Sequence, residues 1–422
     1  MGTRTRQTVT ALAVLLLGSA AGGCAGPESG PPSREHASPG MQASPGERPS
    51  ARGHAPSGHP APSGHHAPPG AAGPGAASSA PSGPRGFTLA AAGDVLPHDS
   101  VIRRAASDAD GDGYDFRPMF EGVKSVVSGA DVAICHMETT YGADGDYSGY
   151  PQFKSPPEVA TGLRATGYDS CSTASNHTLD DGVDGVRRTL DALDRAGVRH
   201  AGSARHAADA KRPTWLQGGS AKIAHLAYTN STNRSVPEGK TWSVNMLDHD
   251  KILADAQAAR KAGADVVVVS LHWGTEWQDE PDEDQLTMGP ELTASQTDGR
   301  PDIDLILGTH AHVPQAYQKV NGTWIVYGMG DQIAGDMVND KGAWDSRGNQ
   351  GTIARFTFAP PAEPGTRWVV KKAEFVPTWF DTDAGRVYNL ATDDDAPGDV
   401  RDRISEVVLS QGGGDDGLKM GR

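Results

Sequence analysis

Two histidines separated by one alanine, His310 and His312, follow the strand-like run Asp302–Leu307 and a glycine. Neutral imidazole is the commonest side-chain ligand for metals in proteins. An extended backbone at this point would place both rings on one face, where both reach one metal cluster. The pair therefore predicts a metal site at the end of a strand.

Four earlier apolar runs end in residues of the same chemical class: Asp94, Glu138, Asn176 with His177, and His272. Ligands of α/β sheets bind beyond the carboxyl ends of the strands. Carboxylates neutralise a divalent cation, whereas an asparagine oxygen and imidazoles complete its shell without further charge, a mixture that suits Mn, Fe or Zn. Asp94 alone could be a strand-end cap, but recurrence at five strand ends predicts a metal site.

The segments between these strand ends alternate between strand and helix patterns. Val183, Val186, Leu190 and Leu193 recur at three- and four-residue steps, which indicates an amphipathic helix. Asp265–Gly274 is an unbroken apolar strand of the kind that is covered on both faces. A helix is expected over Glu283–Ala294, and three further strand-like runs come after Leu307 without convincing helices between them. The pattern predicts an α/β sandwich with a largely antiparallel second sheet.

The first 24 residues are typical of an export signal. Two arginines precede the apolar run Val9–Leu17, which is much shorter than the ~20 residues of a membrane-spanning helix, and small residues lead to Cys24. The segment resembles a bacterial lipobox, although Ala21 stands where leucine is commonest. We expect lipid anchoring to the cell membrane at Cys24, with ordinary cleavage and secretion as the alternative. Both place the working part of the chain outside the cytoplasm.

Residues 25–85 are rich in Pro, Gly, Ser, Ala and His and too poor in large apolar residues to offset their ordering entropy. We expect a disordered linker, whose histidines either remain solvated or bind metal loosely: His36, His54, His59, His65 and His66. One domain is expected over residues 86–390, and residues 391–422 are expected to form a poorly ordered acidic tail.

The formal net charge of −15 argues against nucleic acid as a partner, because phosphate binding needs a basic face. Cys135 and Cys171 remain after Cys24. Outside the cell they either form a disulfide or lie as two buried thiols in apolar strands.

The ordered series "AAGDV", "METT", "ASNHTLDDG", "LHWGTEW", "GTHAHVPQ" and "VYGMGDQI" resembles the motifs of the CapA family of capsule poly-γ-glutamate synthesis proteins. The resemblance spans about Phe87 to Ile333. That family shares the calcineurin-like metallophosphoesterase fold, so the resemblance implies a four-layer αββα metallophosphatase-like sandwich preceded by a signal peptide and linker.

Position by position, the resemblance implies a divalent metal held by six residues: Asp94, Glu138, Asn176, His272, His310 and His312. It also implies a catalytic role for His177. Asp180 either orients that imidazole through a hydrogen bond or caps the helix that begins near Gly182. Glu276, in the "HWGxE" pattern, either steers His272 or is a polar loop residue.

The chain departs from the family pattern at three places. His136 and Asp331 each stand where the family usually has asparagine. Leu96 stands where an ordinary metallophosphoesterase has the histidine of its opening Asp-x-His, and His98 could substitute for it.

The resemblance implies a cell-surface protein of capsule synthesis or export, which acts on an anionic polymer or phosphate ester by metal-assisted hydrolysis and works with other membrane proteins of polymer synthesis. The alternative is a polymer-binding factor with a structural metal, in which Lys154 adds positive charge. A degenerate fold without metal is a third interpretation.

Overall fold

The computed structural model of the chain describes residues 83–363, 365–393 and 396–422. The predicted signal peptide, residues 1–24, and nearly all of the predicted linker, residues 25–85, lie outside these ranges. The lipid anchor at Cys24 and the linker histidines therefore stay predictions.

Helices border the sheets throughout the described ranges. The α-helices are α1 (Asp99–Asp108), α2 (Glu121–Ser128), α3 (Glu158–Thr166), α4 (Gly182–Ala196), α5 (His249–Lys261), α6 (Glu283–Ala294) and α7 (Gly398–Leu409), with short 3-10 helices at Arg117–Phe120, Thr241–Ser243 and Ser346–Asn349. A reciprocal capping box between Asp282 and Gln285 fixes the start of α6. In the described part of the chain, no helix has the length and apolar character needed to cross a membrane.

Within the described ranges, nine strands form the first sheet. They are β1 (Phe87–Leu96), β2 (Val132–Met137), β5 (Ser170–Ser172), β6 (Arg199–Ala201), β15 (Asp331–Ala334), β16 (Gln350–Ala359), β17 (Val369–Asp381), β18 (Arg386–Asn389) and β19 (Leu418–Met420). Strands β1, β2, β5 and β6 run parallel, so their carboxyl ends meet at one edge. Strands β16, β17 and β18 extend the sheet beyond β1 in antiparallel order.

Six strands of the same ranges form the second sheet: β7 (Thr214–Gly218), β8 (Ala221–Thr229), β9 (Val266–His272), β12 (Leu305–Thr309), β13 (Tyr317–Val320) and β14 (Thr323–Val326). Two short pairs lie apart, β3 (Thr140–Tyr141) with β4 (Lys154–Ser155), and β10 (Gln296–Thr297) with β11 (Arg300–Pro301). The expectation of a largely antiparallel second sheet is wrong. Its central strands β8, β9, β12 and β14 are parallel. The late antiparallel strands belong to the first sheet instead, where β16 pairs with β1 and β17 pairs with β16.

Three apolar layers hold four layers of secondary structure together. The first lies between α1–α4 and one face of the first sheet, and its buried residues include Val123, Leu163 and Ala90. The second lies between the two sheets, and the third between the second sheet and helices α5 and α6. This packing confirms the α/β four-layer αββα sandwich.

Backbone segments approach each other closely where the strands reach the carboxyl edge. A Cβ atom at Gly93 would lie 1.7 Å from the carbonyl oxygen of Gly330, and one at Gly308 would lie 1.9 Å from that of Tyr327. Only glycine fits at such distances. These two glycines let the chain segments that precede Asp94 and His310 lie directly against neighbouring backbone.

The segment 391–422 differs from its prediction as a poorly ordered tail. Helix α7 buries Ile404 and Val408 in the layer between the sheets, and Leu418 in β19 joins them. Strand β19 pairs in parallel with β17. The prediction relied on the acidic and glycine-rich composition of the segment. It overlooked the helical spacing of apolar residues that lets α7 pack in the core.

Cys135 in β2 and Cys171 in β5 form a disulfide. The two residues lie opposite each other in neighbouring parallel strands, with their Cα atoms 4.4 Å apart. The bond settles the two alternatives left open by the sequence. It also joins the two strands that lead to Glu138 and Asn176.

Candidate metal centre

Residues from five strand ends, three in the first sheet and two in the second, come together in one buried cluster. All six predicted metal ligands are buried: Asp94, Glu138, Asn176, His272, His310 and His312. The Nε2 atom of His272 lies 2.9 Å from Oδ1 of Asn176 and 3.8 Å from Oε1 of Glu138. The main-chain amide of His310 donates to Oδ2 of Asp94 at 3.1 Å. The cluster therefore straddles both sheets.

Asp94 lies at the middle of the cluster because it belongs to two sets of potential metal ligands. One set is Asp94, His136 and His272; the other is Asp94, Glu138, His312 and Asp331. Within each set the ligand atoms all lie within 4.8 Å of one another. A shared carboxylate between two sets is the arrangement that can bridge two cations.

Hydroxyl groups on neighbouring strands orient two of the imidazole rings. Nδ1 of His136 shares a hydrogen bond of 2.7 Å with the Ser172 hydroxyl, and Nδ1 of His272 shares one of 3.1 Å with Thr309. The two rings stack with centroids 4.8 Å apart. Each Nε2 atom is thereby directed toward the carboxylates, as hydrogen bonds to the far nitrogen of metal-binding histidines do.

His136 and Asp331 were not among the ligands predicted from the sequence. His136 lies two residues before Glu138 near the end of β2, so strand alternation places both side chains on the same face. That spacing could have identified it. Asp331 opens β15 and pairs with Asp94 across the sheet. A search limited to strand ends misses it, because it stands at the start of a strand.

The His-x-His pair reaches the cluster by a different backbone path from the one predicted. Strand β12 ends at Thr309, and His310 and His312 have positive φ angles of 95° and 59° rather than extended ones. Nδ1 of His312 lies 3.0 Å from Oδ1 of Asp331. The His310 ring lies against His272 with centroids 4.5 Å apart, but it belongs to neither ligand set.

The cluster contains buried polar atoms that lack a hydrogen-bond partner among the described residues. They are Oδ1 of Asp94, Nε2 of His136, both carboxylate oxygens of Glu138, Nδ1 of His310 and Oδ2 of Asp331. Unpaired buried polar atoms cost free energy, and buried charges require a counter-charge. A divalent cation would satisfy carboxylate and imidazole lone pairs together, so these residues fit a metal.

The pKa shifts of the cluster residues also fit a bound cation. Burial and the charge of Asp331 raise the pKa of Asp94 well above its usual range, and burial and Asp94 do the same to the pKa of Glu138. Burial lowers the pKa of His136 and of His310 to about 3, which leaves both rings neutral. The pKa of His312 rises despite burial, because carboxylates surround it. A cation would take over the role of that proton.

We predict that Glu138→Gln changes stability in opposite directions with and without metal. In chelator-treated protein, loss of a buried carboxylate should raise the free energy of unfolding by about 1–3 kcal/mol. In metal-loaded protein the same change should lower it, because a cation at a thousand times its Kd stabilises by about 4.1 kcal/mol, which exceeds the gain from removing the buried charge. Urea unfolding of both forms measures the two signs.

The control is Glu291→Gln, which removes an exposed carboxylate in α6. We expect this variant to behave like the parent protein in both forms. Equal effects of Glu138→Gln with and without metal would contradict a cation at this carboxylate.

His177 lies at the border of the cluster and forms a hydrogen-bonded pair with Asp180. Its Nδ1–H donates to Oδ2 of Asp180 at 2.6 Å, and the same oxygen accepts the main-chain amide of Phe153 at 2.8 Å. The N-cap of α4 is Asp181, without a side-chain capping bond. Asp180 therefore orients the imidazole and does not cap the helix. The Phe153 ring meets His177 edge-on at 4.8 Å.

The structure also distinguishes between the alternatives given for His98 and Glu276. Nδ1 of His98 lies 3.0 Å from both the Leu96 carbonyl oxygen and the Gly335 amide nitrogen, and His98 belongs to neither ligand set. It therefore does not substitute for the missing Asp-x-His histidine in either set. Glu276 is exposed, and Thr309 bonds His272 instead, which favours the polar loop residue.

Residues 88–336, more than half of the chain, match the family model described as bacterial capsule synthesis protein PGA_cap. The chain belongs to the PGA_cap family. This confirms the resemblance to CapA proteins, since the match covers the segment that carries the motifs.

Curated relatives of this PGA_cap protein carry related names. It is 28% identical over 172 residues to the PGA biosynthesis protein CapA of Bacillus subtilis, covering 40% of this chain and 44% of the relative. It is 26% identical over 216 residues to a Mycobacterium tuberculosis protein named "Probable polyglutamine synthesis accessory protein", covering 48% and 55%. The chain thus spans about half the length of the curated relatives it matches.

Among solved structures, the PGA_cap protein is similar to the calcineurin-like phosphoesterase YfkN of Bacillus subtilis. The TM-score is 0.42 with 14% identity, covering 76% of this chain and 97% of that chain.

Proposed function

We propose that this PGA_cap protein is a metal-dependent hydrolase of the cell surface that serves capsule poly-γ-glutamate synthesis or export. The observation that carries the proposal is the buried cluster itself. Unpaired carboxylate and imidazole atoms from both sheets surround one centre, and an imidazole oriented by a carboxylate stands at its border. Unpaired buried atoms of this kind would destabilise a purely structural core, and they are typical of functional sites.

The chemistry divides between the cluster and His177. A divalent cation in the cluster would supply positive charge that polarises a phosphoryl or carbonyl oxygen and lowers the pKa of water. Asp94, Glu138, His272, His312 and the other cluster residues would hold it. In the hydrolysis, water would add to the phosphorus or carbonyl carbon and release a proton to solvent, while the bond to the leaving group breaks and that group takes a proton from His177.

His177 would act on the leaving group. Its Nδ1–H is held by Asp180, so Nε2 is the atom left to carry a proton to the departing oxygen or nitrogen. The negative charge of Asp180 stabilises the imidazolium before that transfer. Burial of both side chains keeps bulk water away from this proton.

Turnover of bis(p-nitrophenyl) phosphate and p-nitrophenyl phosphate tests the hydrolase. We expect hydrolysis by the purified protein with added Mn, loss of that activity after chelation, and its recovery when Mn, Fe or Zn is restored. A preparation that binds metal but cleaves neither ester, and cleaves no γ-glutamyl polymer, would contradict the hydrolase.

The second candidate function is binding or anchoring of the polymer around a structural metal. The names of the curated relatives, which refer to biosynthesis and accessory roles, favour it. Sedimentation with poly-γ-glutamate in the absence of any cleavage would support this function over hydrolysis.

We also propose that the protein works outside the cytoplasm, anchored through Cys24. The basic and apolar N-terminal segment supports export. The Cys135–Cys171 disulfide supports an oxidising compartment. Loss of membrane association in a Cys24→Ala variant, measured by cell fractionation, is the expected result; unchanged association would contradict the lipid anchor.

A further inference from the structure

The segment 230–240, which connects β8 to the 3-10 helix at Thr241–Ser243, is fastened to the metal centre along one side. The amide of Asn230 donates to the carbonyl oxygen of His272 at 3.0 Å. The amide of Asn233 donates to the carbonyl oxygen of Asn176 at 2.8 Å. These bonds connect the segment to residues of both sheets. Its position is therefore set by the same residues that form the cluster.

Asn233 places its side chain directly against His177. Its amide nitrogen lies 3.3 Å from Nδ1 and 3.5 Å from Nε2 of that ring. Asp180 already accepts from Nδ1. The Asn233 amide nitrogen thus lies close to both ring nitrogens, slightly nearer Nδ1 than Nε2.

Arg234 follows in the chain and brings a positive charge to the same place. Its Nη1 donates to the carbonyl oxygen of Asp180 at 2.9 Å. The side chain is exposed, and among the described residues it forms no ion pair. A guanidinium presents five N–H donors, and this one bond leaves others directed to solvent next to His177.

The surroundings make an unneutralised cation at this position unusual. The chain carries a formal net charge of −15, and three of its carboxylates, Asp94, Glu138 and Asp331, are buried in the cluster. Lys154, the cation considered from the sequence, forms an ion pair with Asp146. Arg234 therefore offers what Lys154 does not, a positive group beside the His177–Asp180 pair without a carboxylate partner of its own.

We propose that Arg234 binds an oxyanion of the substrate beside the leaving group. This inference rests on the proposed hydrolase function and specifies its substrate class. The substrate carries a second negative group next to the bond that breaks. A phosphate of a phosphate ester and the free carboxylate of γ-linked glutamate share this chemistry, and guanidinium binds either through paired N–H bonds.

Equilibrium binding tests the proposal without requiring turnover. Isothermal titration of the full chain, loaded with Mn, uses two probes, inorganic phosphate and a γ-linked glutamate pentamer. We expect Arg234→Ala and Arg234→Gln to weaken binding of at least one probe about tenfold, the usual effect of losing one charge-assisted hydrogen bond. Arg234→Lys should lose less affinity than the Ala and Gln variants, about threefold, because it keeps the charge but cannot form the paired N–H bonds.

The Gln and Lys variants separate charge from structure. Glutamine keeps a donor for the Asp180 carbonyl oxygen but carries no charge, so a purely structural role predicts that Gln is tolerated. Lys261→Ala is the charge-matched control, since it removes an exposed cation at the end of α5. Metal content should equal that of the parent in all four variants. Where turnover is measurable, we expect KM to rise while kcat changes little.

The outcomes are distinguishable. If the Arg234 variants lose affinity for phosphate alone, the site belongs to phosphate esters. If they lose affinity for the pentamer alone, the site belongs to the polymer. Equal affinities in parent, Ala and Gln variants would overturn the proposal, as would a parent protein that binds neither probe. An active hydrolase with that result keeps its function and loses only this subsite. Tight, Arg234-dependent binding without turnover keeps the subsite and refutes the hydrolase.

Discussion

Asp94→Asn is expected to abolish cation binding at the whole centre. Asp94 belongs to both ligand sets, so its loss removes one charged ligand from each. Removal of residues that merely support a ligand lowers metal affinity 10–100-fold, so a shared ligand should cost at least about a hundredfold. Elemental analysis of protein purified in Mn-supplemented buffer should find less than about a tenth of the parent metal content. Hydrolysis should fall in proportion.

Asp336→Asn is the matched control, because it removes a carboxylate that is exposed. Its metal content should equal that of the parent. Asparagine is close to aspartate in size, so the fold of the Asp94 variant should persist, as checked by circular dichroism. Full metal content in folded Asp94→Asn protein would refute the assignment of this centre.

His177→Ala is expected to lower kcat by about 10²–10⁴-fold, the usual contribution of a general acid. The variant should keep the parent metal content, since His177 belongs to neither ligand set. Loss of activity with retained metal separates proton transfer from metal binding. The measurement is the rate of phosphodiester hydrolysis at saturating substrate, beside elemental analysis.

Two comparisons sharpen this prediction. His249→Ala removes a part-exposed imidazole at the start of α5 and should leave kcat unchanged. Asp180→Asn keeps the size of the side chain that His177 contacts but removes its charge, so it should lower kcat less than loss of the imidazole. A parent-like rate in His177→Ala would exclude this residue from the chemistry.

Much of the fold follows from local sequence patterns. Helix α6 has the predicted bounds, Glu283–Ala294, because an N-terminal capping box marks its start. The apolar run before His272 forms a central strand buried along its length. The strands with which the late strands β16, β17 and β18 pair could not be predicted from local patterns. Pairing of β16 with β1 joins residues about 270 positions apart, and no short window of sequence encodes such a contact.

Part of the site could be predicted from the positions of strand ends in the sequence. The rule that ligands gather at the carboxyl ends of strands brought Asp94, Glu138 and His272 to one place. It missed Asp331, which reaches the centre by pairing across the sheet with Asp94. It also gave the wrong path for His310, whose backbone turns into the left-handed region after β12 ends. Tertiary pairing and turn conformation depend on neighbours that the sequence does not place.

The ligand sets draw on two separate layers, with Asp94 and Glu138 from the first sheet and His272 and His312 from the second. Neither half of the sandwich can build the centre by itself. A cation bound at this centre would therefore join the two layers directly and stabilise the docked sandwich against separation of its sheets.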